Sequence, residues 1–284
     1  MSIQRIHSSE VQVFAGSSRI PAVQSLNVST QKPVNDVRRL GALNVTERVL
    51  GANPISTLDI GILLTTGATG IDPFYTHQAF HAGFLNTGKQ DFTIKDFAGA
   101  TTVSGASLTS YSLNASVGEL VNGTTSYEGS PASFNSEGAI SFDDQSNDNF
   151  KGFFRPSHVQ VTTTTDGDEG IDSTTLNIQN LSLSVDLPRQ TKIRLGSRTP
   201  LFRYPELPAA GSLSFSVLKT KVTGVNVTSM VCESGVIKID LKDDDDNSVI
   251  DFLVSGCCLE SIEESTALDD NTTVGFNYYF PIIQ

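Results

Sequence analysis

The sequence predicts an all-β chain made of two tandem copies of one domain, residues 1–148 and 149–284. Three observations predict it. Apolar and polar residues alternate with a period of two in several segments. Blocks of the first half recur, in the same order, in the second. The chain is rich in Ser, Thr, Asn, Gly and Val and contains no Trp, a balance that favours strands and turns over helices.

The alternation defines strands with one buried and one polar face. Leu26 and Val28 point one way, Asn27 and Ser29 the other. Leu58, Ile60 and Ile62 alternate with Asp59 and Gly61, and Leu213, Phe215 and Val217 with Ser214 and Ser216. Val236–Leu241 and Val249–Val254 flank the acidic run Lys242–Ser248 and read as a hairpin. Pro33 and Pro188 each mark a strand end, since proline removes a ladder donor.

The repeat shows as matched blocks. Leu26…Ser29…Pro33…Arg39-Leu40-Gly41 matches Leu181…Ser184…Pro188…Arg194-Leu195-Gly196, an offset of 155. Leu58, Ile60, Ile62 and Leu63 fall on Leu213, Phe215, Val217 and Leu218 at the same offset. Val11-Gln12-Val13 matches Val159-Gln160-Val161 at 148. Phe92–Asp96 matches Ile239–Asp243 at 147, and Thr124–Tyr127 matches Thr273–Phe276 at 149. The changes of offset place insertions at Thr162–Asp172 in the second copy and at Gly67–Asn86 in the first. Phe142–Pro156 reads as the linker.

Between strands, each copy has a segment of about 20 residues with scattered apolar positions, Val34–Asn53 and Arg189–Pro208. A loop of that length inside a compact domain is unusual and often functional. Both are expected to be structureless protruding arms that touch a neighbouring subunit. Arg38, Arg39, Arg48, Arg194, Arg198 and Arg203 concentrate basic charge there. A helix is expected after Asp72-Pro73, an N-cap followed by proline at the first helical position. Its stripe is Phe74, His77, Phe80 and His81, and a shorter counterpart lies near Asn226–Ser234.

Chemistry is hard to find. His77-Gln78-Ala79-Phe80-His81 has two histidines at zinc-helix spacing, but Gln78 stands where the general base belongs. The run Asp243–Asp246 lacks the Gly and the Glu of a calcium loop. Asp166–Asp172 looks more like one but occurs in one copy only. No nucleophile elbow, P-loop or dinucleotide fingerprint is present. Carboxylate pairs carry no signal in a chain with 31 acidic residues. The chain is therefore expected not to be an enzyme and to hold no cofactor, metal or catalytic residue. Cys232, Cys257 and Cys258 suit neither a redox motif nor a zinc knuckle and read as free thiols.

The net charge of −12 is spread over both halves and leaves no basic patch for a nucleic-acid backbone. Residues Met1–Val13 lack the apolar stretch of a signal peptide, and no run is long enough to span a bilayer. Without a secretory signal, the sequons at Asn27, Asn44, Asn114, Asn122, Asn180, Asn226 and Asn271 are what such a composition produces by chance.

The stretch Leu108-Thr-Ser-Tyr111-Ser-Leu113-Asn-Ala-Ser-Val117-Gly118-Glu119, closing through Thr124-Thr-Ser-Tyr127-Glu-Gly129, resembles the tail tube proteins of long-tailed bacteriophages. The segment Leu26…Pro33…Arg39-Leu40-Gly41 and the strand Leu58-Asp59-Ile60-Gly61 resemble them too. The second copy keeps the pattern loosely: Cys258–Ile262 stands where Tyr111 and its neighbours stand, and Val-Gly-Glu is missing. The resemblance covers nearly the whole chain, once per half. It implies two tail-tube-like β-sandwich or half-barrel domains, each with a short flanking helix and a long protruding loop. In that family the inner sheets of neighbouring subunits join into a barrel, and a long loop stacks onto the next ring.

Most such proteins have one tube domain and form sixfold rings; a doubled chain fits three copies. The resemblance thus implies a virion structural protein of the tail, assembled in the host cytoplasm. Self-association into homotrimeric stacking rings is expected, as are contacts with tip or baseplate, terminator and tape-measure proteins. Viral DNA is expected only as cargo, and no membrane binding. The six arm arginines are expected between rings. Asn27, Ser29, Asp59, Ser182, Ser184 and Ser214, on the polar side of alternating strands, are candidates for the lumen. Two alternatives remain open: a threefold tail-tip hub, and a receptor- or carbohydrate-binding β-sandwich of a fibre or baseplate.

Overall fold

The computed structural model describes residues 11–32, 34–37, 47–50, 54–66, 89–96, 98–136, 152–164, 178–192, 194–195, 202–218, 236–265 and 272–282. No α-helix occurs among the described residues; both expected helices, the linker residues before Gly152 and the boundary at 148 lie outside them. The first half holds β1 (Gln12–Ala15), β2 (Ser18–Arg19), β3 (Val23–Gln31), β4 (Val34–Val37), β5 (Glu47–Leu50), β6 (Ile55–Leu63), β7 (Thr65–Thr66), β8 (Gln90–Lys95), β9 (Ala100–Ser116), β10 (Asn122–Gly129) and β11 (Ser133–Asn135). After β12 (Gly152–Phe153), the second half holds β13 (Val159–Thr164), β14 (Ile178–Asp186), β15 (Arg189–Lys192), β16 (Phe202–Pro205), β17 (Ala209–Leu218), β18 (Val236–Lys242), β19 (Ser248–Ser255), β20 (Cys258–Ser265) and β21 (Thr273–Ile282).

Eight strands form one continuous antiparallel sheet in the order β3-β6-β10-β9-β14-β17-β21-β20. The first four belong to the first half and the last four to the second. Each half adds a smaller sheet. In the first it runs β2-β1-β8-β9, with β11 also on β9. In the second it runs β13-β18-β19. Strand β9 serves both sheets of its half. Its start pairs with β8 and its end with β10 and β14. It turns at Gly105, where φ is +61°. Gly256, φ +70°, stands at the same place between β19 and β20.

Strand pairing fixes how the halves correspond. Leu26 pairs with Ile60 and Leu181 with Phe215, so the offset of 155 holds for both strands. Val34 opposite Leu50 and Arg189 opposite Pro205 extend it into the arms. Gly105 and Gly256 set an offset of 151 for β9 against β19–β20. Thr57 faces Glu128 and Ser212 faces Tyr279, which gives β10 and β21 the same 151. Val103 pairs with Phe92 and Val254 with Ile237, so β8 matches β18 at 145. The expected 149 and 147 were each off by two residues. A slip of two keeps every side chain on its own face, so the alternation could not reveal it.

Two further corrections follow. The acidic tip is an insertion: Asp96–Gly99 turns the β8–β9 hairpin, while Leu241–Ile250 occupies the same place in the second half. The arms are not structureless, because each begins and ends as an antiparallel ribbon, β4 with β5 and β15 with β16.

The core lies between the large sheet and the two small ones. Leu58, Ile60, Leu113, Leu183, Leu213 and Phe215 point into it from the large sheet, and Phe92, Val103, Ile239 and Val254 from the small ones. Phe92 meets Tyr127 at 4.5 Å, and Phe215 stacks between Phe276 and Tyr278. Tyr111 of the first half meets Phe252 of the second at 6.1 Å, so the core is continuous beneath the junction.

Gly105→Ala and Gly256→Ala should each lower stability by about 1–2 kcal/mol, the cost of a left-handed L residue, because a Cβ meets no heavy atom closer than 3.5 Å at either place. Gly211→Ala should cost more, about 3 kcal/mol, since its Cβ would lie 2.2 Å from the Phe280 ring. Urea denaturation of the three variants checks the order.

Candidate assembly interface

The seam between the halves is a ladder of seven pairs, from Asn180 opposite Ser116 to Asp186 opposite Ser110. The Leu187 N–H extends it by donating to the Thr109 carbonyl at 2.7 Å, and the Val117 N–H donates to the Gln179 carbonyl at 2.9 Å. In an antiparallel pair alternate residues turn to the same neighbour. The backbones of residues 181, 183 and 185 therefore face β9. Thr109 is the extra residue of a β-bulge, because Ser126 pairs with Ser110 and Tyr127 with Leu108. Glu260 is the extra residue at the matching place in β20.

The second arm clamps this seam. Arg203, only 3% exposed, inserts its guanidinium against the first half. Nε contacts Glu128 Oε1 at 3.0 Å, Nη1 the Gly105 carbonyl at 3.2 Å and Nη2 the Gly129 carbonyl at 3.0 Å. Arg189 Nε donates to the Leu108 carbonyl at 2.6 Å. Burial and the neighbouring Arg203 depress the pKa of Arg189, with Glu128 opposing them. Arg203 thus bonds the Glu128 carboxylate, while Arg189, held on the Leu108 carbonyl, lies within the field of both groups.

Arg203 is expected between rings; its donors serve the first half of its own chain. Arg48, its equivalent at offset 155, is 71% exposed in its side chain and binds Asp36 of its own arm at 3.0 Å. Arg194 is exposed, and Arg38, Arg39 and Arg198 lie outside the described residues. Glu128 and Arg189 were missed. Arg189 carried a signal, since it follows the repeated proline; Glu128 carried none.

The two outer edges of the large sheet are β3 and β20, the equivalents of β14 and β9. Burial records the difference. Leu181, Leu183 and Tyr111 are buried at the seam. Their equivalents Leu26, Val28 and Ile262 are only partly so. Tyr279 stands where Glu128 stands and is 46% exposed.

Asn27, Ser29, Asp59, Ser182, Ser184 and Ser214 all lie on the face of the large sheet that turns away from the core, opposite in parity to the buried positions. Asn27 Nδ2 donates to Asp59 Oδ2 at 3.2 Å, and Ser182 Oγ to Asn114 Oδ1 at 2.8 Å. None of the chain's 19 Lys and Arg lies in the eight strands, which carry Asp59, Glu128, Asp186, Glu260, Glu263 and Glu264.

The other candidates fare as follows. His77, His81, Cys232 and the Asp166–Asp172 loop lie outside the described residues. In the acidic tip Asp243 Oδ1 accepts the N–H groups of Asp245 and Asn247, and Asp244 meets His158 Nε2 at 3.1 Å. Among the described residues no cluster of three or more His, Cys, Asp or Glu could hold a metal. Cys257 and Cys258 are not disulfide-bonded. No protein-family model and no curated protein matches the chain.

Glu128→Ala leaves Arg203 buried without its counter-charge and should lower stability by about 3 kcal/mol; the fall in melting midpoint measures it. Burial raises the Cys257 thiol to about 12, so little thiolate forms below that pH. In the folded chain at about pH 8, Cys257 should resist alkylation by iodoacetamide and react on unfolding, as peptide mass spectrometry would show.

Proposed function

We propose that this chain is a ring-forming structural protein of a bacteriophage tail, three copies closing head to tail into a conduit wall. One observation carries the proposal. The outer edges of the large sheet, β3 and β20, are the repeat equivalents of β14 and β9, which already pair inside the chain. Whatever β9 does with β14, β20 can do with β3 of another copy. Repeated head-to-tail pairing closes into a ring when the rotation allows, and closure removes open edges that would otherwise recruit chains at random.

The resemblance to tail tube proteins supplies the number three, since each copy would contribute two of six quasi-equivalent units. The polar face supports the conduit. A sheet with no Lys or Arg offers DNA no site for counterion release, and its carboxylates repel phosphate. With that face inward, Asn27, Asp59, Ser182 and Ser214 line the channel.

The backbone of Thr30 faces the open edge, because its equivalent Val185 faces β9. Thr30→Pro removes that N–H while leaving the β3–β6 ladder, and edge strands accept proline. The unaltered protein should form stacked rings of three chains by native mass spectrometry and electron microscopy, while Thr30→Pro should stay a folded monomer. A variant that assembles like its parent, rings of another number, or a ring whose inner wall carries a positive band would overturn the corresponding part of the proposal. Single rings that do not stack would favour the tail-tip hub.

A further inference from the structure

We propose that Arg48 is a latch that leaves its own arm on assembly and grips the second half of the next copy, over Tyr279. The proposal rests on the ring reading and adds a residue, a partner surface and a change of partner to it. Arg48 and Arg203 occupy the same position of the two arms: Arg48 faces Asp36 across β4–β5, and Arg203 faces Thr191 across β15–β16. Arg203 shows what this position does when a neighbouring half is present, since it lies across β10 and the bend of β9.

Its acceptors map onto the second half one by one. The Gly105 carbonyl becomes that of Gly256, which has the same left-handed backbone. The Gly129 carbonyl becomes that of Phe280. The Glu128 carboxylate becomes the Tyr279 ring, which points off the same face and is exposed. A guanidinium over a tyrosine face is a favourable cation–π contact, so the position stays receptive to arginine although its charge is lost. Ser107, buried and paired with Glu128 across β9–β10, becomes the half-buried Cys258. Val34 stands where Arg189 stands, is 53% exposed, and would come to lie over Leu259.

Inside the lone chain Arg48 binds Asp36 in an exposed pair, which is weak and easily exchanged. At the docked arm that acid is replaced by Thr191. Asp36 therefore holds the arginine until a neighbour arrives.

The test uses Arg48→Ala, Tyr279→Glu and the double variant in the full chain. Arg48 is exposed, so its replacement should leave the fold intact by circular dichroism. Sedimentation should show Arg48→Ala needing roughly tenfold more protein to form rings, the loss of a charge-assisted contact. Tyr279→Glu recreates the Glu128–Arg203 pair between chains. It should lower the concentration needed when Arg48 is present and give no gain when it is absent. Alkylation of Cys258 should slow on assembly in the parent and less so in Arg48→Ala. If Arg48→Ala assembles at the parent's concentration with Cys258 equally protected, the latch is wrong and the ring stands. If Tyr279→Glu acts alike with and without Arg48, the partner surface is wrong. If the parent forms no ring, both proposals fall together.

Discussion

The antiparallel pairing of β9 with β14 is the interaction on which the rest of this structure depends. Every backbone N–H and C=O in a sheet needs a partner, and an edge strand leaves half of them exposed. Each half-sheet has two edges. The seam consumes one from each half, so the two halves form one sheet over one core, with Tyr111 against Phe252 beneath the join. Because β9 bends at Gly105 to serve a second sheet, the seam also fixes where the small sheets sit. The bulge at Thr109 presents the carbonyl that receives Leu187, and the second arm leaves from that point.

The polar face is built to be satisfied by itself. Asn27 bonds Asp59, Ser182 bonds Asn114, and Asn277 donates to Ser261. These cross-strand contacts leave short side chains and few charges. Among the described residues most basic groups sit at the arms and the small sheets instead. In the proposed conduit such a separation would serve a wall that meets a polyanion on one side and neighbouring subunits at its rim, since adhesion and register need opposite electrostatics.

Much of this was legible in the sequence. Alternation gave the faces of β3, β6, β14 and β17, and the repeat gave their correspondence, because β6, β14 and β17 are buried on one side, β3 is half-buried on one side, and all four carry a strong period. Two-residue slips in β8 and β10 escaped, since parity is all that alternation reports and strand pairing alone sets register. The arms looked structureless because Val34, Asn35 and Asp36 are all exposed and impose no period. Arg203 is expected between rings, whereas its donors lie on the first half of its own chain. Glu128 is one carboxylate among many, and nothing local marks it. Only the fold shows that it lies under the arm.

In the proposed ring, duplication without divergence would make both joints alike, and the residues at the two places differ in a physically sensible direction. The inner joint forms between segments of one chain, at the high effective concentration that a linker supplies. It can bear an arrangement that is expensive to desolvate, a second guanidinium beside the Arg203–Glu128 pair, with the pKa of Arg189 pushed down as the trace of that expense. The outer joint would form between separate chains, each keeping its groups solvated beforehand. A buried carboxylate there would lose water in every encounter, whereas a tyrosine ring loses little and still attracts a guanidinium. Valine in place of Arg189 removes a second charge from the same joint. In the proposed ring these substitutions would exchange strength for reversibility, so that copies pairing out of line could separate and pair again before closure.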